Sequence, residues 1–141
     1  ALLVAESTDR FRAIFSFGPA DDVAGYGQDY RLFQQTKAEI DLRAPMKWLD
    51  SIKSPTFVFE GSGGNHWSLN KMKSANKNPR VAFHSIVGGD HFSVLGPMNQ
   101  LIAEKMLKDD GATCSVKFTD DEISKLFPRK NNRSQKSSPD R

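Results

Sequence analysis

Three short apolar runs, each closed by glycine or proline, restrict the folds open to this chain of 141 residues. The runs span residues 10–17, 55–60 and 81–87, and they are rich in phenylalanine, valine and isoleucine. The first is followed by Gly18-Pro19 and the other two by glycine-rich turns. Short runs of β-branched and aromatic residues between such breakers are typical of buried strands. The sequence therefore predicts three strands.

The segments that follow these runs carry helical patterns. From Val94 to Met106, apolar residues recur at three- and four-residue steps, as on one face of an amphipathic helix. Shorter helical patterns fall within residues 29–52 and 66–76. Alternating strands and helices imply parallel strands with helices on both faces, so we predict an α/β fold with a three-layer α/β/α core. Because three strands make a small sheet, we interpret residues 1–110 as the C-terminal part of a larger domain.

The remaining residues divide into two parts. Residues 111–128 predict an edge strand, Cys114 to Phe118, and a short helix with Thr119 as its N-cap and Glu122 closing a capping box. Residues 129–141 carry five basic residues against Asp140, so residues 1–128 carry −1 of the overall charge of +3. This polar, basic tail is predicted to be disordered. Because no aromatic residue is interleaved with its basic ones, the tail argues against nucleic-acid binding.

The only cysteine, Cys114, leaves no internal disulfide to form, which favours a reducing, cytoplasmic compartment. It has no metal-ligand spacing with His66, His84 or His91, so we expect neither a metal nor another cofactor. The apolar residues 1–5 are too few to cross a membrane and lack a signal-peptide pattern, so we expect no membrane partner.

One histidine is distinguished by its position. His91 lies in the turn Gly88-Gly89-Asp90-His91-Phe92, between the third predicted strand and the helix that follows. Open α/β sheets bind ligands at the carboxyl ends of their strands, and imidazole suits acid–base catalysis near neutral pH. The alternative is a loop histidine that only hydrogen-bonds to its surroundings. His84 falls inside the strand and is predicted to be core, whereas His66 begins a helix and is predicted to be on the surface.

These residues resemble the C-terminal half of an α/β-hydrolase, in particular the serine hydrolases related to prolyl oligopeptidase and dienelactone hydrolase. The resemblance covers about residues 1–110 and rests on the runs Phe11 to Phe17, Pro55 to Glu60 and, above all, Val87 to Phe92. It implies that the three strands are the sixth, seventh and eighth of the family sheet. It also implies that His91 is the general base of a serine–acid–histidine triad.

The sequence departs from that family at the nucleophile. A G-x-S-x-G elbow does not occur in the 141 residues, because Ser62 has Glu60 rather than glycine two positions before it. The resemblance places the serine upstream of Ala1.

A second departure concerns the acid. The turn after the second predicted strand offers Asn65 where the family has an acid. We rank Glu60 and Asn65 equally as the residue that orients His91, with Asp21 or Asp22 as further alternatives. The competing interpretations are a solvated strand-end carboxylate for Glu60 and a turn residue for Asn65.

Two functions follow from these observations. In the first, the chain is the C-terminal part of a serine hydrolase that cleaves esters or peptides, and it is inactive without its nucleophile. In the second, it is a truncated or degenerate, non-catalytic relative that acts in interaction. Under either, we expect an exposed sheet edge that favours self-association.

Overall fold

The computed structural model describes residues 1–25 and 33–128, and a parallel sheet forms its centre. The strands are β1 (Ile14–Phe17), β2 (Thr56–Gly61) and β3 (Val81–Ile86), in the order β1-β2-β3. The register pairs Ile14 with Thr56 and Thr56 with Val81. The prediction of three parallel strands is confirmed, although residues 10–13 lie outside β1.

Helices flank this sheet in the described part of the chain. They are α1 (Leu2–Ser7), α2 (Lys37–Leu42), α3 (His66–Ala75), α4 (Leu95–Met106) and α5 (Asp120–Leu126). Single 3₁₀ turns occur at Val23–Gly25, Pro45–Lys47 and Leu49–Ser51. The helical patterns predicted within residues 29–52 therefore correspond to α2 and two 3₁₀ turns, except that residues 29–32 lie outside the described part.

The two faces of the sheet pack separate hydrophobic cores. Alternation along β2 places Val58 in one core and Phe57 and Phe59 in the other, and β2 is buried along its whole length. The first core includes residues of α1 and α3, and the second includes residues of α4 and α5. The layers are therefore helix, sheet and helix, as an α/β fold requires.

The predicted edge strand from Cys114 to Phe118 is wrong. This segment pairs with no strand of the sheet, because the Phe118 ring packs edge-on against Phe57 and Phe59, with centroids 5.0 and 5.1 Å apart. Those contacts hold the segment over a face of the sheet rather than beside its edge. The helix after it does begin at Thr119, whose side chain accepts a hydrogen bond from the Glu122 amide.

An arginine before β1 anchors this C-terminal extension. Arg12 Nε donates to Asp109 Oδ2 at 2.8 Å, and Arg12 Nη2 donates to the backbone carbonyls of Asp109 and Gly111. The hydrogen bond from Arg12 holds the pKa of Asp109 well below its usual range. The chain after α4 is thereby fixed to the start of the sheet.

The basic tail predicted to be disordered, residues 129–141, lies outside the described residues. Within the described residues, none of the helices combines the length and apolar character needed to cross a membrane.

Candidate active site

The carboxyl ends of the three strands meet at one edge of the sheet, and the loops that leave them form the candidate site. Gly18 follows β1, Glu60 is the penultimate residue of β2, and His91 lies on the loop after β3. The loops are joined by their backbones, because the Gly63 amide donates to the Gly89 carbonyl at 3.0 Å. This is the edge at which parallel sheets bind ligands.

Glu60 and His91 are hydrogen-bonded to each other. His91 Nδ1 lies 3.0 Å from Glu60 Oε2, and the second carboxylate oxygen accepts a hydrogen bond from the Gly61 amide at 2.8 Å. The Glu60 side chain is fully buried, whereas 45% of the His91 side chain is exposed. The pair therefore combines a desolvated carboxylate with an imidazole that reaches solvent.

The loop that carries His91 is shaped by its aspartate. Asp90 Oδ1 accepts hydrogen bonds from the Phe92 and Ser93 amides, and the Asp90 amide donates to Ser93 Oγ. The backbone hydrogen bonds lower the pKa of Asp90 below its ordinary value. Gly88, with φ +90°, supplies the left-handed turn before it. Asp90 thus fixes the loop rather than orienting the imidazole.

Asn65 forms no hydrogen bond with His91. Its side-chain amide donates to the Pro19 carbonyl at 2.7 Å and so ties the start of α3 to the loop after β1. Of the two residues ranked equally as the partner of His91, the structure brings Glu60 to the imidazole and directs Asn65 elsewhere.

The two aspartates after β1 are also engaged elsewhere. Asp21 accepts hydrogen bonds from Ser68 Oγ at 2.8 Å and Lys71 Nζ at 2.5 Å. Burial alone raises the pKa of Asp21, but the hydrogen bonds and the positive charge of Lys71 together outweigh it and leave the pKa lowered. Asp22 Oδ1 accepts from the Ala24 amide at 2.8 Å. Neither aspartate hydrogen-bonds to His91, whose Nδ1 is bound to Glu60.

The other histidines have different surroundings. His84 is buried and stacks on Phe59, with ring centroids 5.3 Å apart, as predicted for a core residue. Neither of its ring nitrogens has a hydrogen-bond partner among the described residues, and burial lowers the pKa of His84. His66 is partly buried and its Nδ1 lies 3.2 Å from Ser85 Oγ, so its predicted surface position is only partly correct.

Two residues that touch the site were not singled out from the sequence. The backbone of Gly18 lies against the His91 ring, and that of Gly64 lies against the Glu60 carboxylate. The available signal was their position, because both glycines lie in turns that directly follow strands whose carboxyl ends meet at one edge.

The described residues contain no group of three or more histidine, cysteine, aspartate or glutamate side chains that could hold a metal ion. No protein-family model, curated protein or solved structure matches the chain.

Proposed function

We propose that this chain supplies the acid and the base of a serine hydrolase that cleaves ester or peptide bonds. Glu60 is the acid and His91 is the general base. The observation that carries the proposal is the 3.0 Å hydrogen bond from His91 Nδ1 to the buried Glu60 carboxylate. A carboxylate bound to one ring nitrogen is the arrangement that prepares the other nitrogen to take a proton.

The pair favours one form of the neutral imidazole. An ionised carboxylate only accepts hydrogen bonds, so the proton of neutral His91 resides on Nδ1 and Nε2 keeps its lone pair. Nε2 would accept the proton of an attacking serine hydroxyl and return it to the leaving group. Glu60 would stabilise the imidazolium that forms between these steps, and burial strengthens that interaction.

The nucleophile belongs to a segment before Ala1 in this proposal, in line with the resemblance to α/β-hydrolases. Two observations support it. No hydroxyl or thiol group in the described part of the chain hydrogen-bonds to His91, and G-x-S-x-G does not occur in the sequence. The free thiol of Cys114 fits the further proposal of a reducing, cytoplasmic location.

Ester hydrolysis by a longer polypeptide that includes the preceding segment tests this proposal. We expect His91→Ala to abolish turnover and Glu60→Gln to lower it by about 10⁴-fold, the usual cost of removing the acid from such a triad. His66→Ala is the matched control, since His66 lies near the same sheet edge but bonds to Ser85. A fluorophosphonate probe should label a serine that precedes Ala1.

Folding of the variants has to be measured in parallel, because His91→Ala leaves the buried Glu60 Oε2 without its imidazole partner, with only Oε1 still bound to the Gly61 amide. We expect that loss to lower the free energy of unfolding by about 1–3 kcal/mol without unfolding the chain. Full turnover in a folded His91→Ala variant would rule out the proposed base. A longer polypeptide that neither turns over esters nor takes the probe would instead favour the non-catalytic relative.

A further inference from the structure

Two glycines leave no room for a side chain beside the Glu60–His91 pair. A Cβ atom built on Gly18 would lie 2.1 Å from His91 Cε1, and one built on Gly64 would lie 2.3 Å from Glu60 Oε1. Carbon atoms in contact are about 3.5–4.0 Å apart. A methyl group at either position therefore displaces the side chain that it meets.

The backbone of Gly18 is fixed by the sheet. Its amide donates to the Phe59 carbonyl at 3.2 Å, which extends the pairing of β1 with β2 by one residue. Its φ of +56° lies in the left-handed region that glycine adopts at no steric cost. Gly18 is therefore needed for two reasons: its backbone forms the turn after β1, and its lack of a side chain leaves room for the imidazole.

Gly64 differs from Gly18 in its backbone. Its φ lies outside the left-handed region, and its amide donates to the Gly61 carbonyl at 2.9 Å within the turn after β2. Alanine is compatible with that backbone, so the requirement for glycine comes from the space beside the Glu60 carboxylate and the His91 amide nitrogen, which would lie 3.0 Å from the Cβ atom. The nearest atom, Glu60 Oε1, is the end of a flexible side chain, so it gives way more easily than the backbone does.

We propose that Gly18 and Gly64 are positioning residues for the pair, Gly18 for the imidazole and Gly64 for the carboxylate. Bare backbone on two sides holds Nδ1 and Oε2 at 3.0 Å and keeps Oε1 on the Gly61 amide. A methyl group on Gly64 pushes Oε1 away and breaks the bond to that amide. A methyl group on Gly18 pushes the ring from the side of Cε1 and separates it from Glu60. The catalytic meaning of this arrangement rests on the proposed function, but the arrangement itself does not.

Nitrogen NMR of His91 in the full chain tests the proposal without any turnover. Long-range ¹H–¹⁵N spectra of the neutral imidazole report which ring nitrogen carries the proton. In the wild type we expect one tautomer, protonated at Nδ1. In Gly64→Ala and in Gly18→Ala we expect the averaged nitrogen shifts of an imidazole that exchanges between two tautomers.

Gly96→Ala is the matched control, because a Cβ atom on Gly96 meets nothing within 4 Å. It should keep the single tautomer, and both Gly96→Ala and Gly64→Ala should keep the circular dichroism of the wild type. A folded Gly64→Ala variant with the His91 signals of the wild type would overturn the proposal. If Gly18→Ala does not fold, since alanine is strained at φ +56°, Gly64→Ala decides alone.

The two proposals fail in different ways. If His91→Ala retains hydrolysis while Gly64→Ala loses the single tautomer, the positioning role stands and the catalytic role falls. If Gly64→Ala keeps the single tautomer while His91→Ala loses hydrolysis, the catalytic role stands and the positioning role falls.

Discussion

Glu6 is a carboxyl group whose charge the fold disfavours. Its Oε1 atom is buried and has no hydrogen-bond partner in the described ranges 1–25 and 33–128, and burial raises the pKa of Glu6 to about 7. The folded state therefore binds this proton more tightly than the unfolded state, whose carboxyl group has a pKa near 4.5. The contribution to stability is complete below pH 4.5 and is lost as the pH rises to about 7.

Replacing this carboxyl group by an amide should stabilise the protein only where the carboxyl group is charged. We expect Glu6→Gln to raise the free energy of unfolding at pH 8 by about 1 kcal/mol, a value kept small because solvent screens a half-exposed group. At pH 4.5 the variant and the wild type should agree. Urea denaturation at both pH values measures the difference, with the exposed Glu104→Gln as the control. An equal effect at both pH values would contradict the argument.

At the candidate site, the sequence predicted the position of His91 but did not decide whether Glu60 or Asn65 orients it. A distinguishing signal was present, since Glu60 ends a run that is otherwise apolar and that the structure buries completely. A carboxylate in such a strand needs a partner, because an isolated buried charge costs too much. The Asn65 side chain instead donates a hydrogen bond to the Pro19 carbonyl. No local sequence pattern encodes such a bond between two loops. The close approach of Gly18 to the His91 ring and of Gly64 to the Glu60 carboxylate likewise depends on contacts between residues far apart in the sequence.

Among the elements, α5 covers a histidine that folding keeps neutral. His84 lies on β3 beneath α5, and its Nδ1 is 3.7 Å from the exposed Asp120. Within the described part of the chain, neither ring nitrogen has a hydrogen-bond partner. Burial, with a smaller effect from Lys73, lowers the pKa of His84 and outweighs the attraction of Asp120. The unfolded state therefore binds more protons than the folded state below pH 6.5. The contribution of neutral His84 to stability is complete above the ordinary pKa of 6.5 and is lost as the pH falls below it.

This arrangement predicts that acid loosens α5 before it loosens the sheet. Between pH 8 and pH 5, amide exchange in α5, corrected for intrinsic rates, should accelerate relative to that in β2. His84→Phe keeps an aromatic ring between Phe59 and Phe118 and removes the titrating group, so its α5 should respond less. His66→Gln should respond as the wild type does. A response of His84→Phe equal to that of the wild type would assign the acid sensitivity to another group.

The secondary structure was predictable where the spacing of apolar residues followed one clear periodicity, that of a strand or that of a helix. The strand patterns and the apolar stripe of α4 gave the right elements, because local spacing and burial agree there. The segment from Cys114 to Phe118 has the composition of a strand, but the Phe118 ring packs against the aromatic side chains of β2 instead. That contact joins residues far apart in the sequence, so propensity alone could not reveal it.

At the scale of the whole molecule, the sheet formed by the described residues is open beside β1. The Ile14 and Gly18 amides donate to the Pro55 and Phe59 carbonyls of the neighbouring segment. Alternation in a parallel ladder turns the Phe15 and Phe17 amides the other way, and no strand among the described residues pairs with that side. Such an edge is a template for another strand.

We therefore expect self-association through β1, detectable as concentration-dependent amide exchange. In dilute samples Phe15 and Phe17 should exchange rapidly while Ile14 and Gly18, the internal controls, are protected. As the concentration rises, Phe15 and Phe17 should become protected, and each tenfold slowing corresponds to about 1.4 kcal/mol of pairing free energy. If sedimentation shows association while these two amides stay unprotected, another surface is responsible. If the protein remains monomeric at high concentration with both amides protected, a segment of its own chain covers the edge.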